Sequence, residues 1–313
     1  MHSTTATNPL DEAIDSARLA DNPYPVYAQL RRESSPLWSE RWNCWVLSRH
    51  ADVVAALKDV EHFSSVGRTV RSLQANLDQS ERERVRPLIE HYSQGLINSD
   101  PPDHRRLRRI VQGSFTPRTL ERLRPEVYRI VDELLDAAAA RGRVEAISEL
   151  TFQLPVRVIA ELLGIPTTMR EQFKQWSVGV TEFMATPNPD LEVAERSQQA
   201  LLELRAFFAE EFARRRRQPG EDLISLLVNA ADEGERLTEE ELQSTCVTIL
   251  IGGHETTTSL TASAILELAR RPELRDHLRE NPERLPLAVE EFLRLEPPFQ
   301  RILRVVKQPT DAF

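Results

Sequence analysis

The sequence predicts a mainly α fold with a small β-sheet, on three observations. An uninterrupted helical pattern runs from Glu239 to Arg270, far longer than an ordinary globular helix. Across 126–231, apolar residues recur at helical spacing in successive blocks, several of them closed by glycine or proline. Period-two segments are short and lie near the amino terminus, at Leu37-Trp38 and Trp45-Val46-Leu47.

Length and composition bound the class. The 313 residues are 40% hydrophobic with a formal net charge of −9, enough for a large core. No apolar run reaches the roughly 18 residues of a membrane span, and Met1 to Asp15 is polar without a signal-like core. These features predict a soluble, cytoplasmic protein with no membrane partner. Cys44 and Cys246 are too far apart to suggest a disulfide framework or metal-ligand spacing.

In chain order, Asp21-Asn22-Pro23-Tyr24-Pro25 is turn-rich and leads into a short helix. The two period-two segments form a hairpin, with Trp38, Trp42 and Trp45 as core or sheet-edge packing. Asp52 to Leu57 is helical, and Phe63-Ser64-Ser65 leaves it for a loop. Residues 66–98 are polar and irregular without a clear period. Asp100-Pro101-Pro102-Asp103 starts a helix on which His104 and Arg108, at i and i+4, share one face. Thr116 and Pro117 are N-cap and first-position signals. Helices follow at 126–140, 148–163, 168–184, 190–217 and 222–231, with Thr186-Pro187-Asn188-Pro189 as a loop between two of them. Arg214 to Arg217 close one helix at its negative end, where cations are favoured. The arginines after Pro102 also fit a nucleic-acid patch, but the chain is acidic overall and carries no such motif.

The long helix opens on a capping box, Thr238 with Glu241, and a staple of Leu237 with Leu242; Arg271-Pro272 ends it. At 1.5 Å per residue it is a rod of about 45–50 Å that must cross the middle of a domain. Near its centre Ile251-Gly252-Gly253-His254-Glu255-Thr256-Thr257-Thr258 violates helix preference at nearly every position. Violations that dense mark function rather than packing. A zinc-protease reading of His254-Glu255 fails, because position 258 is Thr where the second His is required. Farther on, Glu291 and Arg294 at i, i+3 can pair. Pro297-Pro298-Phe299-Gln300 and a strand at Arg304-Val305-Val306 follow.

The run Gly252-Gly253-His254-Glu255-Thr256 resembles the oxygen-binding helix of the haem-thiolate monooxygenases, the soluble bacterial cytochrome P-450 family. The order strand, strand, helix, Phe-Ser-Ser, the His104/Arg108 helix, Glu291-x-x-Arg294 and the proline turn before Arg304 match the same family. The resemblance implies Glu255 and Thr256 as the catalytic acid–alcohol pair that relays protons to bound dioxygen. It implies Gly252 and Gly253 as the room left for haem, and His104, Arg108 and Arg304 as ligands of the haem propionates. Glu291 and Arg294 would be a structural ion pair. Residues 66–98 would lie over the substrate pocket, and the loop at 186–189 would belong to a mobile lid. Implied partners are a small hydrophobic or natural-product substrate and a ferredoxin-type or flavin redox protein passing electrons from NAD(P)H. Arg105 and Arg109 would be available to dock an acidic electron carrier.

On this resemblance 1–313 is a single incomplete cytochrome P-450 domain. It divides into an N-terminal sheet region (1–65), a helical body (66–295) and the start of a C-terminal β region (296–313). The family's haem-ligand loop with its axial cysteine, and its last helix, are not in these residues. Neither Cys44 nor Cys246 has the loop sequence to serve instead. The expectation is a chain inactive alone, with an open apolar face and weak haem binding. The alternative is a haem-free homologue acting as a binding or activating partner of another enzyme, and an inactive remnant is a third reading.

Overall fold

A computed structural model of the chain describes residues 9–14, 19, 22–33, 36–186, 189–231 and 234–310. Asp21, the Pro187-Asn188 step of the expected lid loop and most of the polar amino-terminal stretch lie outside the described residues. The chain forms two compact units, Met1–Ser64 with Arg304–Phe313, and Ser65–Leu303.

The smaller unit holds helices α1 (Pro9–Ile14), α2 (Tyr24–Glu33) and α3 (His50–Lys58), and strands β1 (Leu37–Ser39), β2 (Cys44–Val46), β3 (Phe63–Ser64) and β4 (Val305–Val306). Strands β1 and β2 form the expected antiparallel hairpin, pairing Trp38 with Trp45. Those rings meet edge-on at 5.2 Å, a favourable cross-strand aromatic contact. Leu10, Ile14, Leu30 and Leu37 make its core, with Trp42 packed against it. The buried Asp11 carboxylate accepts hydrogen bonds from Ser39 Oγ and from the Glu40 amide at 3.0 Å, tying α1 to the hairpin.

Phe63-Ser64 is a strand rather than the expected loop. It pairs antiparallel with β4, Phe63 opposite Val306, and Lys307 N donates to His62 O at 2.8 Å. A two-residue strand whose partner lies some 240 residues away leaves no period to read.

The larger unit is helical: α4 (Arg71–Asn76), α5 (Gln79–Arg84), α6 (Arg86–Tyr92), α7 (Asp103–Ser114), α8 (Pro117–Arg141), a π-turn (Ala146–Thr151), α9 (Gln153–Leu163), α10 (Arg170–Ala185), α11 (Leu191–Arg217), α12 (Leu223–Asn229), α13 (Glu239–Arg270), α14 (Pro272–Glu280) and α15 (Leu285–Leu295). The 66–98 stretch is therefore more ordered than its sequence suggests. It folds into α4, α5 and α6, each under two turns, too short for a 3.6-residue period to show. An Asp78–Glu81 capping box starts α5. Val70, Leu73, Leu77, Val85, Leu88 and Tyr92 from this stretch are buried in the main core.

Helix α8 begins at Pro117, where Thr116 and Pro117 signal a start, with Thr116 Oγ1 accepting from Thr119 N; it runs unbroken into the stretch read as a helix from 126. The expected helix at 148–163 is two elements, a π-turn capped by Glu145 and then α9, which ends at left-handed Gly164. Helix α13 has the predicted bounds and both halves of its capping box. It packs against α9, α10, α11, α15 and the π-turn. Its first half is buried through Leu242–Val247 and Leu250, whereas among 255–270 only Glu267 is. Leu266 on α13, and Leu285, Leu287 and Val289 on α15, are large apolar residues left exposed.

Candidate functional site at the centre of the long helix

Helical geometry divides the Gly252–Thr256 turn into two faces. Residues at i, i+3, i+4 and i+7 line up, so Gly252, Glu255, Thr256 and Ser259 share one side. Gly252, Glu255 and Ser259 are exposed, and a Cβ built on Gly252 meets nothing within 4 Å. Thr256 Oγ1 donates to Gly252 O at 2.6 Å, one turn back. That bond satisfies the hydroxyl hydrogen locally and leaves its lone pairs toward the open face.

Gly253 does not share that face. A Cβ on it would lie 2.6 Å from Ile159 Cδ1, so its bare Cα lets α9 pack close against α13. His254 follows it into the core, 3% exposed. Its Nδ1 sits 2.9 Å from Ser177 Oγ of α10, and its ring meets Phe152 edge-on at 4.5 Å. Burial lowers its pKa to about 4, so the ring is neutral at pH 7 and holds α13 against α10 without charge. Its Nε2 is buried and lacks a hydrogen-bond partner among the described residues.

Tyr92 sits near the same turn, and nothing in the sequence pointed to it. It is 3% exposed, its hydroxyl donates to Val180 O at 2.9 Å, and burial and the Glu255 carboxylate both raise its pKa. Glu255 therefore has a neutral phenol nearby, on a helix too short to read. Ile159 and Ser177 were likewise missed, since an apolar position and a helix serine carry no signal of their own.

His104 and Arg108 lie on α7, and neither side chain has a hydrogen-bond or ion-pair partner among the described residues. Between them Arg106 is differently placed: it pairs with Glu241, the capping-box residue of α13, and lies 3.6 Å from Glu235. Arg105 is exposed. An imidazole and a guanidinium without internal acceptors, one turn apart, are a donor set suited to carboxylates. The chemistry of that pair and the open space at Gly252 fit a flat, carboxylate-bearing macrocycle. Arg304 lies in the smaller unit, immediately before β4. Glu291 and Arg294 make the predicted pair, a fork of two 2.7 Å bonds on the surface of α15. Among the described residues no cluster of three or more His, Cys, Asp or Glu could hold a metal ion. No helix of the described residues is long and apolar enough to cross a membrane.

A predominantly helical fold with small antiparallel sheets and a long central helix opened on one side at its middle turn is the arrangement of the haem monooxygenase fold that the chain's structural neighbours share. A cytochrome P-450 family profile matches residues 14–312. The chain belongs to the cytochrome P-450 family, and by family it is a monooxygenase, an oxidoreductase whose members carry haem. It is 36% identical over 300 residues to cytochrome P-450 107B1 of Saccharopolyspora erythraea, covering 94% of this chain and 71% of that one. It is 37% identical to the erythromycin C-12 hydroxylase of the same organism, over 90% of this chain and 66% of the relative. Among solved structures, P-450BioI bound to an acyl carrier protein carrying hexadec-9Z-enoic acid superposes with a TM-score of 0.81. That pair is 33% identical and covers 94% of this chain and 73% of the other.

Proposed function

We infer that the helical unit forms the oxygen-side wall of a haem pocket serving insertion of one oxygen atom into a small hydrophobic or natural-product molecule. Electrons come from NAD(P)H through a ferredoxin-type or flavin redox partner, in the cytoplasm. The hydroxylase name of the relative above supports the reaction class. The observation that carries the reading is the open face at Gly252, Glu255 and Thr256, set against the packed face at Gly253 and His254.

Haem, when bound, supplies dioxygen activation. His104 and Arg108 hold its carboxylates by charge-assisted hydrogen bonds, with the arginine fork suited to two oxygens at once. Gly252 admits the flat ring face by presenting only backbone. Glu255 exchanges protons with solvent from its exposed carboxylate. Thr256 Oγ1, fixed against Gly252 O, receives a proton on its lone pair and gives up its own, a general-acid relay. His254, neutral and bonded to Ser177, keeps the turn in register with α10.

Neither cysteine suits a thiolate ligand. Cys246 is fully buried in the core on the first half of α13, where burial pushes its thiol pKa well up. Cys44 is a hairpin residue paired opposite Ser39. Within these residues the groups that would hold haem are His104 and Arg108 at its carboxylates and the Gly252 face at its ring.

The test is a chimera of residues 1–313 with the carboxy-terminal part of cytochrome P-450 107B1, loaded with haem. Thr256→Ala in that chimera is expected to keep NADPH oxidation while cutting product per NADPH roughly tenfold or more. Unchanged coupling would count against the proton-relay role.

A further inference from the structure

We propose that the cleft between the 93–103 segment and the first turns of α13 binds a small organic molecule carrying an ammonium group and a neighbouring hydroxyl. This inference uses none of the residues assigned to haem or to the proton relay, although Val66 and Gly95 to Asn98 belong to the 66–98 stretch. The cleft holds about 350 Å³ and is lined by Asp100, Asp103, Glu240 and Glu241, with no lysine or arginine in its lining. Arg106 pairs with Glu241, lies near Glu235 and feels the Asp103 charge, and Asp100 accepts from Ser65 N at 2.9 Å; Glu240 has no ion-pair partner among the described residues. Acidic side chains on a surface are ordinarily just solvated, so the charge alone defines no site.

Buried polar groups facing the same cleft supply the second observation. Ser244 lines it, is only 6% exposed, and its hydroxyl has no hydrogen-bond partner among the described residues. Gly95, at φ 86°, lets the 93–103 segment approach that hydroxyl closely, since a Cβ there would clash with Ser244 Oγ. Asn98 also lines the cleft and is 3% exposed. Its Oδ1 accepts from Thr69 Oγ1 at 2.6 Å, while its amide nitrogen has no acceptor among the described residues. Neither atom is sealed from solvent, so both present an unanswered polar group to the cleft, where a ligand or water can meet it.

The donors and acceptors specify the occupant. Carboxylates and the Ser244 oxygen accept from an ammonium, whereas the Asn98 amide needs an acceptor such as a hydroxyl oxygen. Leu107 and Val66 on the wall offer apolar surface for a short carbon frame. An inorganic cation would use the carboxylates and leave the Asn98 amide unanswered. The site thus selects an amino alcohol over both a diol and a metal ion.

The experiment is calorimetric titration of the purified chain, at low ionic strength and pH 7, with trans-4-aminocyclohexanol. Parallel titrations use trans-1,4-cyclohexanediol and calcium chloride. The amino alcohol is expected to bind saturably at one site, and the diol at least about tenfold more weakly, the loss of one charge-assisted hydrogen bond. Glu240→Gln, an exposed change that leaves the core untouched, is expected to lower affinity about tenfold on the same ground. Ser244→Ala lowers it about threefold, and Glu273→Gln on α14 leaves it unchanged. Equal binding of the diol, no effect of Glu240→Gln, or displacement of the amino alcohol by calcium at lower concentration would each overturn the proposal.

Discussion

Substituting alanine at the two adjacent glycines separates the faces of the central helix in one comparison. Each substitution gains about 0.5–1 kcal/mol from helix propensity. At Gly252 the new methyl meets nothing within 4 Å, so Gly252→Ala keeps that gain. At Gly253 the methyl would lie 2.6 Å from Ile159 Cδ1, which forces a shift, and 3.2 Å from Cγ1, which is tighter than ordinary contact. Overpacking of this kind costs about 1–3 kcal/mol. The propensity gains cancel between the variants, so Gly253→Ala is expected to be less stable than Gly252→Ala by about 1–3 kcal/mol. Urea unfolding followed by far-UV circular dichroism reads the difference. Adding Ile159→Val, which removes the clashing Cδ1, is expected to restore much of the loss. If the two alanine variants unfold at the same urea concentration, Gly253 is not packed as described and the two-face division fails.

Other outcomes follow from the same geometry. His254 and His91 are buried, and burial lowers both pKa values to about 4 from 6.5; Arg205 adds to the effect at His91. The unfolded chain therefore binds more protons than the folded one between these values, and stability is lost as pH falls from about 6.5 to about 4. The loss per histidine is on the order of 3 kcal/mol at most, and His254→Leu is expected to flatten part of the slope in urea midpoints measured across that range. Arg106→Met breaks the link from α7 to the Glu241 cap of α13 and is expected to cost about 1 kcal/mol, more at low salt, by the same unfolding assay. Arg294→Gln, by contrast, breaks a pair fully in solvent and is expected to leave the unfolding midpoint unchanged.

What the sequence made legible follows the range of the signals. Helix α13 was readable from Thr238 to Pro272 because a capping box, 32 residues of pattern and a proline stop all agree. The hairpin at Trp38 and Trp45 was readable because its partners are neighbours in the chain. The β3–β4 pair and helices α4 to α6 were not, since two-residue strands and two-turn helices are fixed by distant packing rather than by local pattern. The same limit governs the site. Glycine beside glycine announced an unusual turn, but only the position of Ile159 on another helix decides that Gly252 is open and Gly253 is packed. Tyr92 comes close enough for Glu255 to raise its pKa because α6 and α10 bring it there, joined by a bond from its hydroxyl to Val180 O.

Haem titration of the 313-residue chain, read as the Soret difference spectrum, tests the central claim most directly. Weak saturable binding is expected, which Gly252→Leu abolishes by filling the open face and His104→Ala with Arg108→Ala weakens about tenfold or more. Glu291→Gln, on the surface of α15, should leave it unchanged. Binding of equal strength in wild type, Gly252→Leu and the His104/Arg108 double variant would contradict a haem seat on that helix face.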